Sequence, residues 1–192
     1  MSDFEEYLYY KTRLLNMCRI GLVNKDDEHA EQIIKAADCE LYTYSEKGKE
    51  ADFSASDIRY VSQPDFVGTE FHISGKYDME VRLGIPGLFN VVNALAAVSV
   101  CSFLDLDKEK ISHALEHIRV NGRMEIVYTS ERCTVLVDYA HNAVSMESLL
   151  STLRDYKPKR LVCVFGCGGN RSKDRRYSMG EIGGKLADLS II

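Results

Sequence analysis

Several short blocks of this 192-residue chain place polar or charged side chains where chemistry is feasible. Leu136-Val137-Asp138-Tyr139-Ala140-His141 sets a carboxylate and an imidazole three residues apart, just after an apolar β run. At the carboxyl end of such a strand a carboxylate can accept hydrogen bonds from sugar hydroxyls, or it can simply cap a turn. His141 then falls near the start of the next helix, or on its surface. Arg123, in N-G-R-M-E, offers a planar fork of donors that matches phosphate oxygens, although a lone arginine also pairs readily with an acid or with water. Gly166-Cys167-Gly168-Gly169-Asn170-Arg171 follows another apolar run. Its glycines let backbone N–H groups approach an anion and Arg171 adds charge; the plain alternative is a tight strand-to-helix turn. Lys173, Arg175 and Arg176 extend this basic loop.

Two further places are quieter. In G-L-F-N-V-V-N-A-L-A-A, Asn90 and Asn93 share one helical face near a helix start. Asparagine forms helices poorly, so the pair suggests a purpose beyond propensity, capping by Asn90 being the simpler one. Lys11, in E-E-Y-L-Y-Y-K-T-R, reads by itself as a helix-surface lysine. Neither a G-x-x-x-x-G-K-S/T loop nor a shorter G-x-G-K-S/T loop occurs in the chain.

The elements that must hold these residues follow from local patterns. Ser2 and Glu5 form a capping box ahead of a helical stripe of Phe4, Leu8, Leu14, Leu15 and Cys18. Ile20–Val23 is a short buried strand, Asp26 and Asp27 cap a helix to about Ala37 with Ala30, Ile33, Ile34 and Ala37 on its apolar face, and Cys39–Tyr44 is the next strand. This β-α-β cadence predicts a parallel sheet. Asp57–Ser62, Gly68–Ser74 and Met79–Leu83 then add short antiparallel strands, the last two joined by a turn around Gly75. A helix spans Phe89–Phe103, and Asp107 caps another to about Arg119. Asn121-Gly122 is the expected domain boundary. Beyond it come a hairpin (Met124–Thr129, Cys133–Tyr139), a helix at Ser145–Asp155, a strand at Arg160–Phe165, a helix at Ser178–Ala187 and the start of a strand at Leu189–Ile192.

Bulk properties exclude several classes. A hydrophobic content of 45%, a charged content of 28% and a net charge of −5 describe an ordinary globular chain, and argue against a duplex nucleic-acid partner, which wants a basic face. No apolar run approaches the roughly 20 residues of a membrane span, and the acidic start lacks the features of a signal peptide. Six cysteines at 18, 39, 101, 133, 163 and 167 show no C-x-x-C spacing; buried free thiols in a reducing cytosol are expected, and no zinc site.

In this order the blocks N-G-R-M-E, D-Y-A-H, F-G-C-G-G-N-R and F-N-V-V-N-A-L-A-A resemble the ATP-dependent Mur ligases, most closely members that add the third peptide residue to UDP-MurNAc-L-Ala-D-Glu. The likeness spans nearly the whole chain. It implies an α/β fold: residues 1–120 as the end of a parallel-sheet, ATPase-like central domain, and residues 121–192 as the first part of a Rossmann-like C-terminal domain. A folylpolyglutamate synthetase fragment is a weaker match, because D-Y-A-H and F-G-C-G-G-x-R occur together.

The resemblance also implies roles. Asp138 binds the ATP ribose, Arg123 reaches ATP, Asn90 and Asn93 contact adenine, and His141 lines the catalytic site. Arg171 meets the carboxylate of the incoming amino acid, here lysine or diaminopimelate. Lys11 occupies the place of a lysine that reacts with CO2 to a carbamate and then supports Mg2+. Departures exist: Asn142-Ala143-Val144 replaces T-P-D, Asn170 replaces an aspartate, and Tyr10 replaces an alanine. The D-H-L-D segment expected just before Lys11 is absent. The family's phosphate loop and UDP-binding domain precede residue 1, and its D-N-P-R motif follows Ile192. The expectation is therefore a fragment of a cytoplasmic peptidoglycan-precursor ligase, inactive without its missing portions, or else a non-catalytic nucleotide-binding or interaction module of the same descent.

Overall fold

The computed structural model describes residues 3–167 and 173–192. Ser2 of the expected capping box, and Gly168 to Arg171 of the glycine-rich block, lie outside them. The chain divides into two compact units. One comprises Met1–Arg59, Thr69–Leu83 and Phe89–Ile118; the other comprises Tyr60–Gly68, Gly84–Leu88 and Arg119–Ile192.

Helix α1 (Asp3–Arg13) opens the chain and gives way to a single 3-10 turn at Leu15–Met17. The apolar stripe is thus shorter than its sequence suggests. Leu8 is buried, whereas Phe4 and Leu14 are exposed and Cys18 is already extended. Strands β1 (Ile20–Asn24) and β2 (Glu40–Ser45) pair in parallel around α2 (Ala30–Ala36). The helix starts later than the Asp26-Asp27 pair predicts, with His29 at its N-cap and no side-chain cap. Asp26 is recruited elsewhere: its carboxylate accepts the Ser45 hydroxyl and the amides of Glu46 and Lys47, 2.8–3.3 Å away. The Asp27 carboxylate accepts the His29 amide at 2.8 Å, and its carbonyl accepts the Ala30 amide at 3.2 Å. Of the predicted apolar face, Ala30 alone is buried.

β3 (Phe53–Ser62) begins earlier than expected and pairs in parallel with the end of β2, Tyr44 opposite Phe53. β4 (Val67–Gly75) and β5 (Met79–Leu83) form the antiparallel extension, giving one five-stranded sheet in the order β1-β2-β3-β4-β5. Gly75 turns between them at φ +103°, where an added Cβ would lie 2.2 Å from the Asp52 carbonyl oxygen. Alternation puts Phe71, Ile73, Val81 and Leu83 on the buried face.

Helix α3 (Leu88–Ser102) follows, burying Val91, Ala94, Leu95, Val98 and Ser99, an i, i+3, i+4, i+7 stripe. Phe103, just after it, packs its ring on Tyr42 and edge-on to Phe53. Helix α4 (Lys108–His117) starts as its sequence predicts, with the Asp107 carboxylate accepting from the Glu109 and Lys110 amides. It lies against β5, joined by Arg82 to Glu116 at 2.8 Å.

In the second unit β6 (Glu125–Thr129) and β7 (Thr134–Val137) make the predicted antiparallel hairpin. Helix α5 (Ala143–Asp155), strand β8 (Val162–Val164), helix α6 (Lys173–Leu186) and strand β9 (Leu189–Ile191) complete it, β8 and β9 pairing in parallel. Met146, Leu150, Leu161 and Met179 are its buried core. Asp188 ties these elements together: it meets Arg154 in a bidentate pair at 3.1 Å and accepts the Leu161 amide at 2.6 Å. Those contacts hold its carboxyl below the usual range, Arg154 first. Lys173, Arg175 and Arg176 sit in the first turn of α6, which starts before Ser178, so they are helical and not loop residues.

The six cysteines are free, but Cys18 and Cys133 are exposed and the other four only partly buried, contrary to the expectation of buried thiols. The hairpin and its neighbours are two-stranded, so one face of each lacks cover from within the unit, and burial there falls short of the apolar content. No described helix is long and apolar enough to cross a membrane.

Candidate functional site

The densest polar arrangement in the second unit is built at the start of β6 and the end of β7. After Val120 the chain makes a tight turn closed by the Arg123 amide on the Val120 carbonyl at 3.0 Å. Gly122 fills its third position at φ +67°, the left-handed slot that suits glycine. The Gly122 amide in turn donates to Glu125 Oε2 at 2.7 Å. Met124 comes next, also left-handed at φ +46°, which a side chain tolerates only under constraint. Two features supply the constraint. Its side chain is 2% exposed, and its amide donates to Asp138 Oδ2 at 2.9 Å.

Asp138 is the first residue after β7, at the carboxyl end of the strand as the sequence predicts. Its second oxygen, Oδ1, accepts the Ala140 amide at 2.8 Å. A carboxylate has about four acceptor positions, so one remains on each oxygen after these two bonds. The group is therefore oriented by backbone and still able to receive hydroxyls.

Arg123 is exposed, with Cζ 5.0 Å from the centroid of the Tyr139 ring. Ion pairs hold Arg59, Arg82 and Arg154, whereas Arg123 makes none with the described residues. The Tyr139 ring also lies 5.1 Å from that of His141. His141 Nδ1 is 3.1 Å from the Tyr139 carbonyl oxygen. A carbonyl can only accept, so Nδ1 carries a proton and donates, which leaves Nε2 outside this contact.

His141 stands directly before the helix it was expected to precede. Asn142 is the N-cap of α5, accepting the Ser145 amide on its side chain, while Ser145 Oγ reaches back to the Asn142 and His141 amides. The departure from T-P-D at this point thus has a local structural use.

In the first unit, Asn90 and Asn93 lie one turn apart on α3, outside the buried stripe. Asn90 is the third residue of the helix and so is not its cap. Asn93 is exposed. Lys11 is exposed in the last turn of α1, its Nζ 5.3 Å from the Tyr7 ring centroid. Within the second unit the fold brings Arg123, Asp138 and His141 together. Arg171 lies outside the described residues. Sequence reasoning missed Met124, Glu125 and Tyr139, which orient the others; only the turn dipeptide Asn121-Gly122 hints at the unusual backbone. The described residues include no group of three or more His, Cys, Asp or Glu side chains arranged to hold a metal ion.

Residues 1–101 match the family described as Mur ligase middle domain, and residues 122–192 the one described as Mur ligase, glutamate ligase domain. A relative from Alkaliphilus oremlandii, UDP-N-acetylmuramoyl-L-alanyl-D-glutamate--2,6-diaminopimelate ligase, is 40% identical over 190 residues, covering 96% of this chain and 37% of the relative. A solved structure of a UDP-N-acetylmuramoyl-L-alanyl-D-glutamate--2,6-diaminopimelate ligase superposes with a TM-score of 0.76 at 28% identity, over 98% of this chain and 40% of the other. Folylpolyglutamate synthase from Thermotoga maritima shares the fold, with a TM-score of 0.76 at 20% identity, over 99% of this chain and 44% of the other. The chain thus spans about two-fifths of the proteins it matches.

Proposed function

The chain belongs to the Mur ligase family, and on that footing we propose that it forms part of an ATP-dependent ligase that joins a diamino acid to UDP-MurNAc-L-Ala-D-Glu. Residues 1–120 supply the later portion of the central domain and residues 121–192 the earlier portion of the C-terminal domain. Diaminopimelate is favoured over lysine by the names of the relatives. The compartment is the cytoplasm, where UDP-linked precursors are made.

The observation that carries the nucleotide assignment is the state of the Asp138 carboxylate, oriented by two backbone amides with an acceptor position left on each oxygen. That is what vicinal ribose hydroxyls require. Arg123, with no carboxylate partner among the described residues, suits phosphate oxygens. His141 adds an imidazole beside them; in the first unit, taken by itself, Asn90 and Asn93 carry amides of the kind that reads an adenine edge. In the family reaction the substrate carboxylate attacks the γ-phosphorus and ADP leaves. The amine then attacks the acyl phosphate and inorganic phosphate leaves. ATP supplies the phosphoryl group; these residues orient its ribose and offset its charge. Lys11, as a carbamate, and Arg171, toward the amino-acid carboxylate, complete the proposed set. For Mg2+ the described residues offer no cluster of three or more His, Cys, Asp or Glu side chains.

The test is a chimera in which residues 1–192 replace the matched segment of the Alkaliphilus oremlandii ligase. ATP-dependent incorporation of diaminopimelate into UDP-MurNAc-L-Ala-D-Glu is expected, and Asp138→Ala should depress it by about tenfold or more. A folded chimera that binds nucleotide without ligating would favour the non-catalytic module instead.

A further inference from the structure

Arg123 poses a physical problem. A phosphate-binding arginine must be held in place, yet the usual holder, a carboxylate, takes two of the five in-plane N–H donors and offsets the charge that attracts the phosphate. We infer that Tyr139 is the positioning residue that resolves this, its ring face holding the Arg123 guanidinium while leaving the guanidinium donors free for an anionic phosphate. The inference rests on the nucleotide reading given above and names the device by which that site would work.

Three features support it. The contact is over the ring face, with Cζ 5.0 Å from the ring centroid, and a cation held by a π system does not spend its N–H groups on a carboxylate. The neighbouring carboxylates are oriented by backbone: Asp138 receives the Met124 and Ala140 amides, and Glu125 receives the Gly122 amide. Neither forms an ion pair with Arg123. Finally, the ring is itself fixed. Tyr139 follows Asp138 directly, its carbonyl accepts the His141 Nδ1 proton, and its ring packs on the His141 ring. At 61% exposure it adds little to the core of the unit, so substitution there leaves the fold intact.

The test uses the chain itself in four forms: wild type, Tyr139→Phe, Tyr139→Leu and Arg123→Ala, with Tyr139→Leu repeated in the Arg123→Ala background. Two quantities are read by NMR. One is the ring-current displacement of the Arg123 side-chain signals without ligand; the other is affinity for ATP and for adenosine. Tyr139→Leu should abolish the displacement and weaken ATP about two- to fivefold. Tyr139→Phe, which keeps the face, should match wild type in both. Adenosine, which has no phosphate, should bind all forms alike, and Tyr139→Leu should cost nothing further once Arg123 is gone.

Equal ATP affinity in wild type and Tyr139→Leu would overturn the inference, as would equal losses for ATP and adenosine or a failure of Tyr139→Phe to rescue. An absent displacement in a wild-type chain that binds ATP would sink the inference alone. A clear displacement with no ATP binding would sink the nucleotide reading, and the inference with it.

Discussion

The Asp138 carboxylate accepts the Met124 amide at 2.9 Å across 14 residues of sequence, and Met124 is a buried methionine in left-handed backbone. One side chain therefore does two things. It pins a strained residue at the entrance to β6, and that bond fixes the orientation in which Asp138 offers its remaining acceptor positions.

Asp138→Asn keeps a single carbonyl acceptor and presents N–H groups to one of the two backbone amides. It should destabilise the second unit by about 1–3 kcal/mol, from the lost charged hydrogen bond. Urea denaturation followed by a probe on α5 or α6 measures this. A change within about 0.5 kcal/mol, the scatter of ordinary surface substitutions, would mean that the Met124 backbone is held by its side chain alone.

Asn142 heads α5 in a reciprocal arrangement with Ser145. Asn142→Ala should cost about 1 kcal/mol, and Asn142→Asp, which caps equally well, close to nothing. Thermal unfolding midpoints of the two variants separate capping from any loss of an amide contact with ligand.

Gly75 and Gly48 both have positive φ, but their surroundings differ. An added Cβ at Gly75 would strike the Asp52 carbonyl, whereas at Gly48 nothing lies within 4 Å. Gly75→Ala should cost more than about 2 kcal/mol and Gly48→Ala about 1 kcal/mol, the backbone strain alone. Equal losses in denaturant melts would show that the clash at Gly75 relaxes freely.

Asp26 gives a dependence on pH. Burial pushes its carboxyl up, but the Ser45 hydroxyl and the Glu46 and Lys47 amides together outweigh that and hold it below 3.8. A depressed carboxyl contributes stability in full above its unfolded value, and loses it as pH falls through the folded value. Asp26→Asn should therefore be less stable than wild type at neutral pH, with the gap closing as pH falls through the depressed folded value. A gap independent of pH would assign the loss to geometry and not to charge.

Local patterns made much of this fold legible. The apolar runs at Ile20–Val23 and Met79–Leu83 became strands, the Val91-Ala94-Leu95-Val98 stripe faced inward, and Asp107 capped α4. Legibility failed where a distant residue won the competition for a side chain. Asp26 left the α2 start for a loop 19–21 residues away, a choice no window around it contains. The placement of Asp138 after an apolar strand was readable, since strand ends are local. The tie to Met124 was not: methionine gives no sign of left-handed backbone, and hairpin register decides which amide meets the carboxylate. Arg123 is a candidate from its sequence context, but its aromatic support is not legible there, because the ring it meets lies 16 residues away on the far side of the hairpin.

The most direct test of this account is to titrate the chain with ATP and follow backbone amides and arginine side-chain signals by NMR. Saturable shifts centred on Met124, Ala140 and the Arg123 guanidinium, competed by ADP and absent in Asp138→Ala, are the predicted result. Unmoved signals at those three positions under saturating ATP, or shifts confined to other parts of the chain, would contradict the assignment of Asp138 and Arg123 to the nucleotide.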